Sequence, residues 1–455
     1  MNKIKISFFT QGCRLNQSET ASLKNGFEEA GFKVVDFDGD TNLVVINTCT
    51  VTEKSDRDTR LLINKFIKKN PKVKIVLIGC QAQVWKEKLL ALPNVVLVVG
   101  NEEKMDLVGK IKNIRPHPLL RQGFGGQALT PSPQVERGDF IHVTEIKKRS
   151  FTIPYASVEK TRTRANLKIQ DGCDNYCAYC IVPYARGPVR SREFEDVLRG
   201  ALELVVSGVK EIVLTGVNIG NYGTHPLNPP LFIQKEGDLN YKLEDVLREL
   251  SAIEGMGRIR ISSIELTTLS EKLLDLIAGN EKLCRYLHIP LQSGNDSVLK
   301  RMGRKYSVQE YADFVRLAVE KVDGICIGTD VIVGFPGETE AAFQETYEFL
   351  ENSPLAYFHV FSYSDRAGTK SFEMQPKVAN NVIQKRSKFL RDLSEKKRQE
   401  FRVRQVNKTV TVLFEQEKNG FWTGLTDNYI RMQLKSEQNL ENKMVAMKLE
   451  DVCCI

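Results

Sequence analysis

A chain of 455 residues, with 42% hydrophobic and 27% charged side chains, is long enough for two or three cores and has the composition of a soluble globular protein. No apolar run reaches the length of a bilayer span, and nothing at the start resembles a signal peptide, because Met1-Asn2-Lys3-Ile4-Lys5 runs straight into a strand pattern. The ten cysteines do not pair like a secreted disulfide framework, so reduced, metal-binding thiols in the cytoplasm are expected; the net charge of +8 permits a nucleic-acid partner without requiring one.

Up to about residue 113, short apolar runs at 5–9, 43–46, 75–78 and 95–99 alternate with helical patterns such as 19–30 and 53–68. Continuous apolar strands alternating with helices predict a doubly wound parallel α/β domain. Cys13, Cys49 and Cys80 each fall just beyond one of these strands, at the carboxyl edge where open α/β sheets gather ligands. A lone buried Cys is usually a small hydrophobe. Three at successive strand ends are better read as one three-thiolate site, with Gly12 and Gly79 letting the backbone come close. Residues 114–138, crowded with Pro and Gly, read as a disordered linker or insert and receive no chemistry.

Between 139 and 375, six strand-like runs (167–170, 211–215, 258–264, 286–291, 327–333, 357–363) alternate with helical patterns, predicting a partial (β/α)6 barrel. Directly after the first run comes Asp171-Gly172-Cys173-Asp174-Asn175-Tyr176-Cys177-Ala178-Tyr179-Cys180. This Cys-x3-Cys-x2-Cys loop aims three thiolates at one small cluster. A four-iron cluster takes four protein ligands, so one iron would stay open to chelate the amino and carboxylate groups of S-adenosylmethionine (SAM). The other readings are a zinc knuckle, for which no fourth ligand lies nearby, and three unrelated thiols. Tyr179 fits the position that packs near the adenine in the radical-SAM signature. Other strand ends point to the same mouth. Gly216 suits close approach of a ligand, Asn218 follows it, and Glu265 and Gln292 are placed to hydrogen-bond a ribose. His288 is read as satisfied in the core, Cys284 and Cys326 as core, and 224–240 as a surface insertion. No side-chain acid–base pair is indicated.

From Asn380 to Lys408, ten Lys and Arg face three acidic residues along a helical pattern, and an alternating all-β unit follows. A solvated helix face is the plain reading. A basic helix leading into an OB-like barrel with exposed aromatics (Phe421, Trp422, Tyr429) is an RNA-contacting module, with Lys396, Lys397, Arg398 and Arg402 on phosphates. Removing the chain from about 404 onward is then expected to leave cluster sites upstream intact. Cys453 and Cys454 are incidental to this scheme.

With these pieces placed, the chain resembles the radical-SAM methylthiotransferases over almost its whole length. The resemblance is carried by Gln11-Gly12-Cys13-Arg14-Leu15-Asn16-Gln17, Asn47-Thr48-Cys49-Thr50-Val51-Thr52, Gly79-Cys80, Gln170-Asp171-Gly172-Cys173, Cys180-Ile181-Val182-Pro183-Tyr184-Ala185-Arg186-Gly187 and Gly334-Phe335-Pro336-Gly337-Glu338. It departs from the family in the Pro/Gly-rich insert and at Ser364-Asp365-Arg366-Ala367-Gly368, where relatives carry prolines. The resemblance implies an auxiliary-cluster domain (1–113), a radical-SAM barrel (139–375), a basic linker helix (376–403) and a C-terminal TRAM domain (404–455). It implies two 4Fe-4S clusters, one on Cys173, Cys177 and Cys180 that binds SAM, the other on Cys13, Cys49 and Cys80. Among the family's members the bacterial enzymes acting on N6-threonylcarbamoyladenosine in tRNA are most similar. The implied reaction is methylthiolation of adenine C2 at position 37 in the anticodon loop. It begins with hydrogen abstraction by a 5′-deoxyadenosyl radical, and a second SAM supplies the methyl group. The partners implied are tRNA, an external electron donor and a sulfur source, with no membrane and no obligate protein partner. Alternatives left open are isopentenyladenosine in tRNA, an aspartate of a ribosomal protein, and a non-catalytic iron–sulfur RNA-binding protein.

Overall fold

A computed structural model describes residues 4–38, 40–114, 140–154, 163–224 and 241–450. Nearly all of the expected insert at 114–138 and of the surface insertion at 224–240, together with Cys453 and Cys454, lie outside these residues. Chain contacts divide the protein into two compact units. The first joins residues 1–158 to 171–175 and 180–192; the second holds 159–170, 176–179 and 193–455.

The first unit is built on a parallel sheet of six strands: β1 (Lys5–Thr10), β2 (Lys33–Val34), β3 (Leu43–Thr48), β4 (Lys74–Gly79), β5 (Val95–Val99) and β6 (Ile141–His142), in the order β2-β1-β3-β4-β5-β6. Successive side chains feed opposite faces. Val45, Val76, Ile78, Leu97 and Val99 pack against Leu23 and Phe27 of helix Arg14–Glu29 and Leu107 of helix Leu107–Ile114. Val44, Ile46, Ile75, Leu77 and Val98 pack against Ile63 and Phe66 of helix Glu53–Lys69. Both faces are therefore dry, which is why these strands read as unbroken Val/Ile runs; each aliphatic side chain so buried contributes about 1.5–3 kcal/mol. The register ends the three central strands together: Thr10 is level with Asn47, and Thr48 with Gly79.

In the second unit, six parallel strands follow one another in chain order. β7 (Arg164–Lys168), β8 (Glu211–Thr215) and β9 (Arg258–Ile261) form one sheet. β10 (Tyr286–His288), β11 (Cys326–Val333) and β12 (Tyr357–Ser362) form another. Parallel bridges Ile259–Leu283 and Ser263–His288 link the two. The outer helices Phe194–Val206, Leu243–Ala252, Glu271–Gly279, Val308–Lys321 and Glu340–Asn352 separate them. Their starts are set locally, as at Ser307, whose hydroxyl accepts from the Glu310 N–H while the Glu310 carboxylate accepts from the Ser307 N–H. This is the expected partial (β/α)6 barrel.

Helix Asn380–Gln405 lies on β12, where Ser394 Oγ donates to the Phe358 carbonyl (2.7 Å) and accepts from its N–H (3.0 Å). The chain ends in an antiparallel sheet of β13 (Thr409–Lys418), β14 (Phe421–Thr426), β15 (Arg431–Lys435) and β16 (Met444–Lys448), ordered β15-β14-β13-β16. Asn419-Gly420, both at positive φ, turn β13 into β14 as a two-residue hairpin. The sheet packs on the starts of the barrel strands: Val410, Val412, Phe414, Ile430 and Met432 share one core with Cys284, Tyr286, Cys326 and Tyr357. Cys284 and Cys326 are thus core residues, and burial pushes both thiols up to about 12. Beneath them Glu211 is buried between Arg258 and Arg260, at 2.6 and 2.7 Å. Burial alone would raise this carboxyl, but Arg260 and Arg258 outweigh it and hold it below the usual carboxylate range. The two guanidinium groups donate onward to the carbonyls of Thr411, Leu425, Thr426 and Asp427.

Candidate active site

Because β1, β3 and β4 end together, the loops carrying Cys13, Cys49 and Cys80 leave one sheet edge. Gly12 sits at φ +85°, and a Cβ there would lie 2.7 Å from Cys49 Cβ and 2.8 Å from its Sγ, so only glycine lets the first loop reach the second. Gly79, at φ +94°, leaves room for Asn47 Oδ1 and the Thr48 carbonyl. Burial, and then the neighbouring Cys80, push the Cys49 thiol up to about 11, with Cys13 adding to the rise. The three thiols therefore share one site. Three soft sulfur donors at one sheet edge are a ligand set that fits an iron–sulfur cluster.

The same unit holds Asp171 to Asn175 and Cys180 to Arg192. Gly172 is obligatory: at φ +73° its Cβ would fall 1.8 Å from the Pro188 carbonyl oxygen. The Cys173 N–H donates to the Gly187 carbonyl (3.0 Å). Beyond Cys180 the chain forms the short helix Val182–Arg186, and Arg186 is buried on Glu19, Asp171 and Asn16. Burial would lower the Arg186 pKa, but Cys80, Glu19, Asp171 and Cys13 together raise it well above its ordinary value. Sequence reasoning gave Arg186 no role, and no spacing rule would have found it.

In the second unit, the middle of the cysteine loop is strapped down by backbone. The Ala178 N–H donates to the Met302 carbonyl and the Ala178 carbonyl accepts from the Ser371 N–H, each at 2.8 Å. Arg304 Nη1 lies 3.4 Å from Cys177 Sγ and 3.1 Å from Glu265 Oε1. This fixed cation beside Cys177 went unseen in the sequence. Tyr179 packs edge-on to Phe335, which roots it in the barrel. Gly216 is required by Gln170, whose Oε1 would sit 2.7 Å from an added Cβ and which accepts from the Val217 and Asn218 N–H groups (both 2.9 Å). Its smallness thus serves a protein contact. Asn218 is buried with Oδ1 accepting from the Glu265 N–H (3.3 Å), while its Nδ2 has no protein acceptor among the described residues. The Glu265 carboxylate, expected to be available to a ribose, is already held by Arg304. Gln292 adopts φ +72°, uncommon for a side-chain-bearing residue and found where surrounding structure enforces it. His288 is buried as expected, with Nδ1 2.9 Å from Ser263 Oγ and Nε2 3.2 Å from Asp330 Oδ1.

The basic helix corrects one expectation. Lys397 does not face solvent: it is buried, its Nζ donating to the Glu351 (2.9 Å) and Ser353 (2.6 Å) carbonyls, and burial lowers its pKa. A phosphate cannot replace those partners without opening the helix. Arg386 is likewise buried on Glu338 (2.6 Å). Arg398 lies over the Tyr357 ring (5.2 Å) and Arg402 is half-buried, whereas Lys396 is exposed, as are Lys385, Lys388, Arg391 and Arg404. Tyr429, expected among exposed aromatics, stacks instead on Tyr286 (4.5 Å) and Tyr357 (6.0 Å); Phe421 is exposed.

Two family models match: the radical SAM superfamily over residues 167–350, and a family described as uncharacterized, UPF0004, over 5–100. The chain is 36% identical over 450 residues to the threonylcarbamoyladenosine tRNA methylthiotransferase MtaB of Bacillus subtilis (strain 168), covering 98% of this chain and 93% of that one. It is 38% identical to the enzyme of the same name from Aquifex aeolicus (strain VF5), covering 94% and 96%. The chain belongs to the radical-SAM tRNA methylthiotransferase family. It is therefore an enzyme, a transferase of tRNA modification, and the radical-SAM match implies SAM and a four-iron cluster. A solved radical SAM methyltransferase, TsrM from Kitasatospora setae, superposes with a TM-score of 0.54 at 17% identity over 82% of this chain and 77% of that one, a likeness of fold. Among the described residues no helix is long and apolar enough to cross a membrane.

Proposed function

We propose that this methylthiotransferase modifies C2 of N6-threonylcarbamoyladenosine in the anticodon loop of tRNA, in the cytoplasm, using two 4Fe-4S clusters. The observation that carries the reading is the convergence of Cys13, Cys49 and Cys80 at one sheet edge, in a chain that also bears the Cys173, Cys177, Cys180 loop. The second triad, with one iron left open, would bind SAM. Together, SAM and that cluster supply the one-electron chemistry that activates an unreactive carbon–hydrogen bond. The first triad would hold the auxiliary cluster, on which an external sulfur source is drawn; an external donor provides electrons.

This chain's own part is to bind, orient and exclude water. Arg304 places a fixed positive charge at Cys177, which would counter the charge of a loaded cluster. Tyr179 would pack near the SAM adenine. Among the described residues Asn218 has a buried donor with no acceptor, which would suit a cofactor oxygen, and Gln292 and Glu265 line the same strand ends. The division of labour we assign is 1–113 for the auxiliary cluster, 139–375 for SAM, and 376–455 for tRNA. On the last segment, Lys396, Arg398 and Arg402, and the exposed Lys385, Lys388 and Arg391, would meet phosphates.

The test is an iron count. Anaerobically reconstituted protein should bind about eight irons, as two four-iron clusters. Changing Cys173, Cys177 and Cys180 to Ala together should leave about four and abolish SAM cleavage. Wild type that never exceeds four, or a triple variant that still cleaves SAM, would sink the reading.

A further inference from the structure

Six ionised side chains of the first unit meet out of solvent: Glu19, Lys104, Arg186, Asp171, Arg190 and Glu102, none more than 8% exposed. Each ion taken from water costs several kcal/mol, and an apolar cluster of like volume would hold the fold as well or better. Stability alone does not explain such a knot. Its position does.

Arg186 Nη1 donates to Glu19 Oε1 (3.2 Å) and Asp171 Oδ1 (2.9 Å), and Nη2 to Asn16 Oδ1 (2.5 Å). Asn16 then passes the contact on. Its Nδ2 donates to the carbonyls of Gln11 (2.8 Å) and Thr48 (3.1 Å), which lie just before Cys13 and Cys49. Asn101 serves the third loop: its Nδ2 donates to the Ala185 carbonyl (2.6 Å) and lies 3.8 Å from Cys80 Sγ. Asn101 is in turn fixed by Lys104, whose Nζ donates to its Oδ1 (2.6 Å) and pairs with Glu19 (2.5 Å). Each of the three cysteine loops is thus tied, through one asparagine, to residues 185–186.

We propose that Arg186 is a positioning residue for the Cys13–Cys49–Cys80 cluster, its buried cation fixing the three loops and raising the cluster's reduction potential by offsetting the charge of three thiolates and an added electron. The inference rests on the reading that these cysteines hold an iron–sulfur cluster. Cluster potentials follow net charge, hydrogen bonding and solvent exposure, and a cation shielded from water is screened less than one at the surface.

The experiment uses the full-length chain with Cys173, Cys177 and Cys180 changed to Ala, so that one cluster is observed. Reconstituted parent, Arg186→Lys and Arg186→Gln proteins are titrated with dithionite and followed by electron paramagnetic resonance. The Gln variant should be harder to reduce, its reduced-to-oxidised ratio at fixed potential falling by at least about tenfold, which is 59 mV for a one-electron couple. The Lys variant, which keeps the charge, should stay close to the parent. Loss of iron in the Gln variant alone would also support the role, because charge and not shape would then decide occupancy. An unchanged potential in the Gln variant, or an equal shift or equal iron loss in both, overturns the proposal. A parent that binds no iron overturns it together with the cluster reading beneath it; a parent that binds iron and ignores Arg186 overturns this inference alone.

Discussion

The chain buries two knots of charge that look alike and end differently. Around Glu211, two arginines spend their remaining donors on backbone carbonyls of the C-terminal sheet. Around Glu19 and Asp171, Arg186 reaches, through asparagines, the loops that carry cysteines. The first knot closes the floor of the barrel and touches no candidate ligand. The second is tied to the loops of three. Similar ions therefore serve fold in one place and chemistry in the other, and what tells them apart is where the last hydrogen bond lands.

The largest effects should come from breaking the first knot or the sheet it is tied to. Glu211→Ala leaves Arg258 and Arg260 buried without a counter-charge, which costs about 3–5 kcal/mol, a large share of a domain's stability. Chemical denaturation of the apoprotein should show that loss. Removing the chain from 404 should do more, since it strips the carbonyl acceptors from Arg258 and Arg260 and the apolar cover from Tyr286 and Tyr357. This revises the expectation that such a truncation is harmless upstream: the sheet read as a detachable module is part of the barrel's core. Glu211 also gives a sign in pH. Its folded pKa is depressed, so its contribution is present above the unfolded value of about 4.3 and is lost as pH falls towards the folded one. Acid unfolding that begins no earlier in Glu211→Gln than in wild type would contradict the account.

A smaller effect separates two adjacent lysines. Lys397→Ala should cost about 1–3 kcal/mol of stability, because the carbonyls of Glu351 and Ser353 lose their donor, and should leave the salt dependence of tRNA binding alone. Lys396→Ala should do the reverse, lowering the slope of log affinity against log salt by up to about one. Equal behaviour in both assays would contradict the burial of one lysine and the exposure of the other.

Much of this was legible in advance, and the exceptions share a cause. Strand ends near Cys13, Cys49 and Cys80 follow from Val/Ile runs whose length and bounding residues are local. So does the cysteine loop. β6 was missed because a two-residue strand has no period, and β16 because Met444–Lys448 alternates only weakly. Lys397 could have been placed: Ile383, Leu390, Leu393 and Phe401 mark an apolar stripe at helical spacing, and residues 386 and 397 fall on it. Arg186 could not. Its partners Glu19, Asn16 and Asp171 come from distant stretches, and only the folded chain brings them together.

The central claim is that two cysteine triads divide one reaction. It is tested most directly by mass spectrometry of nucleosides from tRNA carrying N6-threonylcarbamoyladenosine, after incubation with SAM, reductant, sulfide as the sulfur source and either wild-type protein or protein with Cys13, Cys49 and Cys80 changed to Ala. The account predicts a 2-methylthio product from wild type, and from the variant continued SAM cleavage with no such product. Methylthiolation by the variant, or SAM cleavage by wild type that leaves the nucleoside unmodified, would contradict it.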